Sequence, residues 1–378
     1  MRQKLLLALL LTAGFAGAAA AQEVTIGLTM GTTGPGASLG INYRNAFDLM
    51  PNAIGGFSIK FIILEDKTDA SEAAKNGREL IVQDKVDAFM GSVAVPSTTQ
   101  LALIANELRT PLVALSPVAL PPDKLEWTFV VPQPTTLMMS AVVDHMKAHG
   151  VKTVGYIGFS DSWGDLVLNA VKSLAGPAGI QIVSEERYAR ADTSVTGQVL
   201  KVMASDPDAV VIGGSGTGGA LPHIGLVERG YKKQIYHNHG TVNREFIQVG
   251  GKAVEGAIAP TGPLIVAEDL SDDNPIKKVA LDFDRRYEAK FGAGTRNAFS
   301  GYSYDGFLLL NAAVAVAAKT AKPGTPEFRP ALRAALENVK NVVGTHAVYN
   351  MSPTDHTGVD QRARVLVSVE NGQWRLLK

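Results

Sequence analysis

Apolar runs of strand length alternate with helix-period stretches through most of this chain. Residues 23–29 (EVTIGLT) and 58–64 (SIKFIIL) read as strands, followed by helical stretches over 40–49 and 71–83. Asp69 and Ser71 suit the start of the second helix, where a short polar side chain caps free amides. The pattern is clearest over 87–122, DAFMGSVAVPSTTQLALIANELRTPLVALSPVALPP. It predicts a strand at 88–90, a glycine turn, a helix at 98–108, a strand at 112–115 and a second turn at 116–121. Strand, helix and strand joined by short polar connections make a parallel sheet with right-handed crossovers.

The pattern then restarts. A helix over 137–149 stops at Gly150, a strand follows over 153–159, and a helix over 164–174 ends at Gly176-Pro177. Further strands fall at 180–183, 209–212 and 234–237, with helices near 193–205 and 220–228. The second run repeats the architecture of the first but not its residues, so the fold expected is α/β with two Rossmann-like, doubly wound lobes. After residue 261 a segment reading GPLIVAEDL crosses back to the first lobe, and helices follow over 274–291, 302–319 and 325–337. The chain ends in a hairpin, 365–369 and 374–377, turned by Asn371-Gly372. The lobes are expected to comprise 22–138 plus 268–343 and 139–263 plus 347–378. Repeated crossings form a hinge of several strands, which favours rigid-body closure.

The address lies at the N-terminus. MRQK precedes the apolar run LLLALLLTAGFAG and then AAAAQ, a charged start with an Ala-x-Ala cleavage pattern. That run is shorter than the ~20 residues a membrane-spanning helix needs. Residues 1–21 therefore read as a cleaved secretory signal, with the mature chain starting near Gln22. The 378 residues contain no cysteine, so an exported chain must rely on its core, and no lipid-attachment thiol follows the signal. A soluble protein of a bacterial periplasm fits. Lys+Arg and Asp+Glu both number 36, which leaves no basic field for nucleic acid.

In an open parallel sheet, ligands bind outside the carboxyl ends of the strands. Ser97 and Thr98 fall at such an edge, at a predicted helix start. They either cap their own helix or receive a ligand oxygen there. Trp163, in the turn FSDSWGD after a strand, offers an aromatic wall to a planar or apolar ligand. Gly214 to Gly219 match G-x-G-x-x-G, but the following strand ends in His237-Asn238-His239 and not in the acid a dinucleotide site wants. A plain glycine turn is the better reading, with Ser215 left as a ligand contact. His145 and His149 have the i, i+4 spacing of a zinc pair but no third ligand near them, so a surface role is preferred. The sequence has no cysteine and no H-E-x-x-H, and no enzyme and no cofactor are expected.

Several segments jointly carry a family resemblance: VTIGLTMGTTGPGASLG, YRNAFDLM, LEDKTDASEAAKNGRELI, SPVALPP, FSDSWGD and YSYDGFLLLNA. With these the chain resembles the periplasmic solute-binding proteins of ABC importers, of the branched-chain amino-acid-binding type, over nearly all of its mature length. The resemblance implies a type I periplasmic binding fold with three crossovers and a ligand held between the lobes. It further implies a permease partner in the inner membrane and a monomeric state. It also implies ligand contacts from Leu39, Ser97, Thr98, Val118, Ala119, Trp163, Ser215 and His239, with the carboxylate received near Val118 and Ala119. His239 stands where amino-acid binders carry the acid for the ligand ammonium, and an ammonium buried without a carboxylate is costly. A small carboxylate with an aromatic body is therefore the expected ligand. Branched-chain amino acids or amides remain the alternative, as does a sensor of the same fold. Protonation of His239 near pH 6.5 is expected to strengthen binding of an acid.

Overall fold

The computed structural model describes residues 23–377; the predicted signal, 1–21, lies outside them. The first sheet comprises β1 (Glu23–Met30), β2 (Ala53–Ile54), β3 (Phe57–Glu65), β4 (Ala88–Gly91), β5 (Leu112–Ala114) and β6 (Thr128–Val130). Its order is β2-β3-β1-β4-β5-β6, parallel except for the short β2. α1 (Ala37–Phe47), α2 (Ala70–Arg78) and α3 (Val95–Glu107) connect these strands. Asp69 caps α2 as expected, accepting from the amides of Ser71 and Glu72.

The second unit runs α4 (Thr135–Ala148), β7 (Thr153–Phe159), α5 (Ser162–Ala175), β8 (Gln181–Tyr188), α6 (Thr196–Ala204), β9 (Ala209–Gly213), α7 (Ala220–Glu228), β10 (Gln234–His237), α8 (Arg244–Gly250) and β11 (Ile258–Thr261). The chain returns to the first sheet with α9 (Pro275–Phe291), α10 (Ala298–Ala317) and α11 (Phe328–Glu337), then makes a small ribbon of β12 (Val342–Val343) and β13 (Val348–Tyr349). It finishes on the second sheet with β14 (Val365–Glu370) and β15 (Gln373–Leu376), which complete the order β15-β14-β11-β10-β9-β7-β8. Asn371 and Gly372 both have positive φ, 52° and 71°, as the predicted two-residue hairpin turn requires.

Each sheet carries its own core. The largest apolar cluster joins the first sheet to α1, α9, α10 and α11, with Tyr43, Phe129, Phe283 and Phe307 buried in it. A second cluster packs α4, α5 and α6 on the other sheet around Tyr156, Phe159 and Val211. The chain passes between the sheets after β6, after β11 and after β13. Polar contacts tie these crossings together. Gln133 donates to the Ala363 carbonyl (2.7 Å) and accepts from the Tyr302 hydroxyl (2.8 Å). Buried Asp305 on α10 accepts from the amides of Thr345 (2.6 Å) and His346 (3.0 Å) and from the Tyr349 hydroxyl (3.0 Å). Three crossings bound this way make the hinge a small folded unit, not a flexible tether.

α3 and α10 are among the helices that begin earlier than the sequence predicts. α3 starts at Val95 because Pro96 fits a first helical turn, where a missing amide costs nothing. α10 starts at Ala298 because Asn297 caps it, accepting from the Ser300 amide at 2.8 Å.

Candidate ligand-binding site

A small cavity lies between the two sheets. Its walls come from segments that follow parallel strands: Val93 to Val95 after β4, Ser116 and Pro117 after β5, Pro132 after β6, Trp163 after β7, Ser215 after β9 and His239 after β10. This is the carboxyl edge of both sheets, where such folds place ligands. α1 and the start of α10 close the site with Leu39, Tyr43, Phe299 and Tyr302.

The first-lobe wall is aromatic. Tyr43 lies 5.5 Å from Phe299 and 6.4 Å from Tyr302, centroid to centroid. The phenol of Tyr43 donates to the Leu115 carbonyl (2.5 Å) and that of Tyr302 to Gln133, so both rings offer carbon to the cavity while their hydroxyls are satisfied elsewhere. Across the cavity, the Trp163 indole donates through Nε1 to the Gly214 carbonyl at 3.1 Å. Gly214 also accepts from Asn238 (2.7 Å), so the glycine-rich turn serves as an acceptor that orients the tryptophan. The segment Gly216–Gly219 forms a tight helical turn ahead of α7.

Four of the expected contacts line the cavity: Leu39, Trp163, Ser215 and His239. Ser97, Thr98, Val118 and Ala119 do not. The early start of α3 buries Ser97 and Thr98 completely, and neither hydroxyl caps the helix. Thr98 instead links inward. Its Oγ1 accepts from the Ser92 amide (2.9 Å) and is hydrogen-bonded to Ser116 Oγ (2.7 Å), while Ser92 Oγ donates to buried Asp66 (2.7 Å). Thr98 thus reaches the cavity only through Ser116. Val118 packs on the first lobe and Ala119 on the second, because the turn after β5 leaves the cavity edge to fill the seam between lobes.

His239 is 3% exposed, and neither ring nitrogen has a hydrogen-bond partner. Burial, helped by the His346 charge, pushes its pKa down to about 3. The expected titration near pH 6.5 is therefore replaced by a neutral imidazole over the physiological range, able to donate from one nitrogen and accept at the other.

Arg190, which follows β8, carries no local sequence signal that marks it as a site residue. It is the one charged side chain lining the cavity among the described residues. Its Nε donates to Asp161 Oδ2 at 2.5 Å and its Nη1 to Ser215 Oγ at 3.1 Å, with the guanidinium carbon 4.3 Å above the Phe159 ring. Tyr43 was legible in principle, since it stands one helical turn after Leu39 on the same face. Phe299 and Tyr302 left no such trace, because their helix joins the site from a distant part of the chain.

The lobes touch at the rim. The Thr217 amide lies 3.4 Å from Ser38 Oγ, and a Cβ on Gly216, whose φ is +54°, would stand 2.7 Å from the same oxygen. His145 and His149 stack at 3.9 Å on the surface of α4, with His149 Nδ1 bonded to the His145 carbonyl and His145 Nδ1 to Tyr236. No cluster of three metal-binding side chains occurs among the described residues, and none of their helices is long and apolar enough to cross a membrane.

Comparison with known proteins agrees with this geometry. A family model described as periplasmic binding protein matches residues 23–373. An extracellular ligand-binding receptor from Rhodopseudomonas palustris HaA2 is 44% identical, covers 94% of this chain and 100% of its own, and superposes with a TM-score of 0.93. A second receptor from that strain is 38% identical, covers 94% of this chain and 99% of its own, and has a TM-score of 0.89. A leucine-binding protein from Thermotoga maritima shares the fold at 21% identity, with 94% and 98% coverage and a TM-score of 0.82. The chain belongs to the periplasmic binding protein family and shares its fold with a leucine-binding protein.

Proposed function

We propose that this chain is the solute-binding component of an ABC importer and captures a small carboxylate with an aromatic body. Open lobes take the solute from the periplasm, close over it, and the closed monomer docks on a permease in the inner membrane. The lobes are 22–138 plus 268–343 and 139–263 plus 347–378, and residues 1–21 are the signal removed on export. The makeup of the cavity supports this ligand: rings on opposite walls, Tyr43 and Phe299 facing Trp163, and no carboxylate in the lining among the described residues. An ammonium would be buried there without a partner, at a cost of several kcal/mol, on the order of that for any isolated charge.

A branched-chain amino acid is the competing ligand. Asp161 stands directly behind Arg190, so a displaced arginine would expose an acid to the cavity. A thermal-shift panel of aromatic acids, aliphatic acids, amino acids and amides separates the two. A true ligand at about 100 times its dissociation constant adds roughly 2.7 kcal/mol and raises the midpoint by several degrees. The largest shift is expected among aromatic acids. A larger shift with leucine or valine would reverse the assignment.

A further inference from the structure

The cavity has two polar poles. The first-lobe pole is the start of α3, which no side chain caps, with Ser116 beside it. It presents Val93, Ala94 and Val95, and Pro96 removes one of its amide donors. No charged side chain stands there. The second-lobe pole is Arg190 with Ser215.

Arg190 is held before any ligand arrives. Asp161 takes its Nε, Ser215 takes its Nη1 and Phe159 supports its flat face. Asp161 is itself engaged: its other oxygen accepts from the amides of Trp163 (2.9 Å) and Gly164 (3.2 Å), at the start of α5. The positive end of that helix offsets part of the aspartate charge, so the guanidinium is not fully neutralised by its partner. Its side chain is only 15% exposed, where screening by water is weak. Ser215, having accepted from Arg190, keeps its own proton to donate into the cavity.

We infer that Arg190 is the specificity-determining residue of this site: the bound carboxylate faces the second lobe, on Arg190 and Ser215, with the aromatic body toward Tyr43 and Phe299. This orientation is the reverse of the one implied by the family resemblance, which put the carboxylate near Val118 and Ala119, residues that leave the cavity. The inference rests on the carboxylate reading of the site and adds which residue selects for it.

Calorimetry on the full protein tests it, with phenylacetate and 3-phenylpropionate as probes, each against its primary amide. Wild type should bind each acid at least about tenfold more tightly than its amide, because a charged acceptor gains more from a guanidinium than a neutral one. R190Q should weaken the acids by roughly 10–100-fold and leave the amides within about threefold. R190Q also leaves Asp161 unpaired, which would itself repel an acid, so the double variant R190Q/D161N removes that contribution. It should still lose the preference for acids, while R190K, keeping the charge without the fork, should retain part of it. Melting curves of each variant establish that it is folded. A double variant with the wild-type acid preference overturns the role of Arg190 alone. A wild type that binds neither acid, or binds the amides equally well, overturns the carboxylate reading and this inference with it.

Discussion

Trp163 meets His239 edge to face, with ring centroids 5.2 Å apart and planes at 88°. The indole is locked by its bond to Gly214, whereas the imidazole has both nitrogens unpaired. The pair therefore presents one fixed apolar surface and one unsatisfied polar ring, and a ligand is the natural partner for the second.

Replacing Trp163 by alanine should weaken binding of the best acid by about 1–3 kcal/mol through lost aromatic contact. Trp163 is 4% exposed and also packs in the second-lobe core, so the variant should lose a further about 3–5 kcal/mol of stability. Trp163→Phe keeps a ring and gives up the Gly214 bond, at about 1 kcal/mol. Calorimetry and melting curves separate the two effects. Affinity unaltered in Trp163→Ala would remove the tryptophan from the ligand wall.

Affinity for an aromatic acid should be level between pH 8 and pH 6, because His239, with its pKa pushed down to about 3, stays neutral throughout. His239→Gln should weaken binding by a similar factor at every pH in that range. A titration that steepens near pH 6.5 in wild type and flattens in the variant would show that His239 does gain a proton.

Stability should fall as pH drops below about 6.5, the ordinary imidazole value. Burial holds His223 and His346 at about 4, His239 at about 3 and His237 well below its usual range. Between those values and about 6.5 the unfolded chain takes up protons that the folded one refuses, at up to about 1.4 kcal/mol per pH unit for each imidazole. Asp284 acts in the opposite sense. Burial raises it to about 8, so the folded chain keeps a proton that the unfolded chain loses near pH 4, and stability erodes as pH rises from about 4 to 8. Asp284→Asn should accordingly lift the melting midpoint more at pH 8 than at pH 5. Equal shifts at both values would place the proton linkage elsewhere.

Gly216 should be needed for closure. With its positive φ and Ser38 Oγ where a Cβ would stand, a leucine there would both strain the turn and hold the lobes apart. Small-angle scattering of wild type should give a smaller radius of gyration at saturating phenylacetate. Gly216→Leu should show no such change and bind at least about tenfold more weakly, a loss of about 1.4 kcal/mol. A wild-type profile unmoved by ligand would count against the hinge.

Local pattern was enough to place most elements. Strand-length apolar runs, glycine stops and an Asn-Gly turn led to two parallel sheets with their ligand edges facing one another. Residues just past a strand end, Trp163, Ser215 and His239, reach the cavity for that reason alone. Pro96 opens α3 ahead of the helix start expected at 98, and that small shift turns Thr98 inward and leaves Ser116 as the hydroxyl at the edge. Arg190 also follows a strand, yet nothing local distinguishes it from an arginine in solvent. Only the fold brings Asp161, Ser215 and Phe159 around it. Tyr43 and Tyr302 form one wall although a whole lobe separates them in sequence, and His239 loses its ordinary pKa because both lobes close over it. Periodicity and turn chemistry act over a few neighbouring residues and are written along the chain. Desolvation, charge pairing and contact between lobes depend on atoms that only the tertiary structure brings within reach.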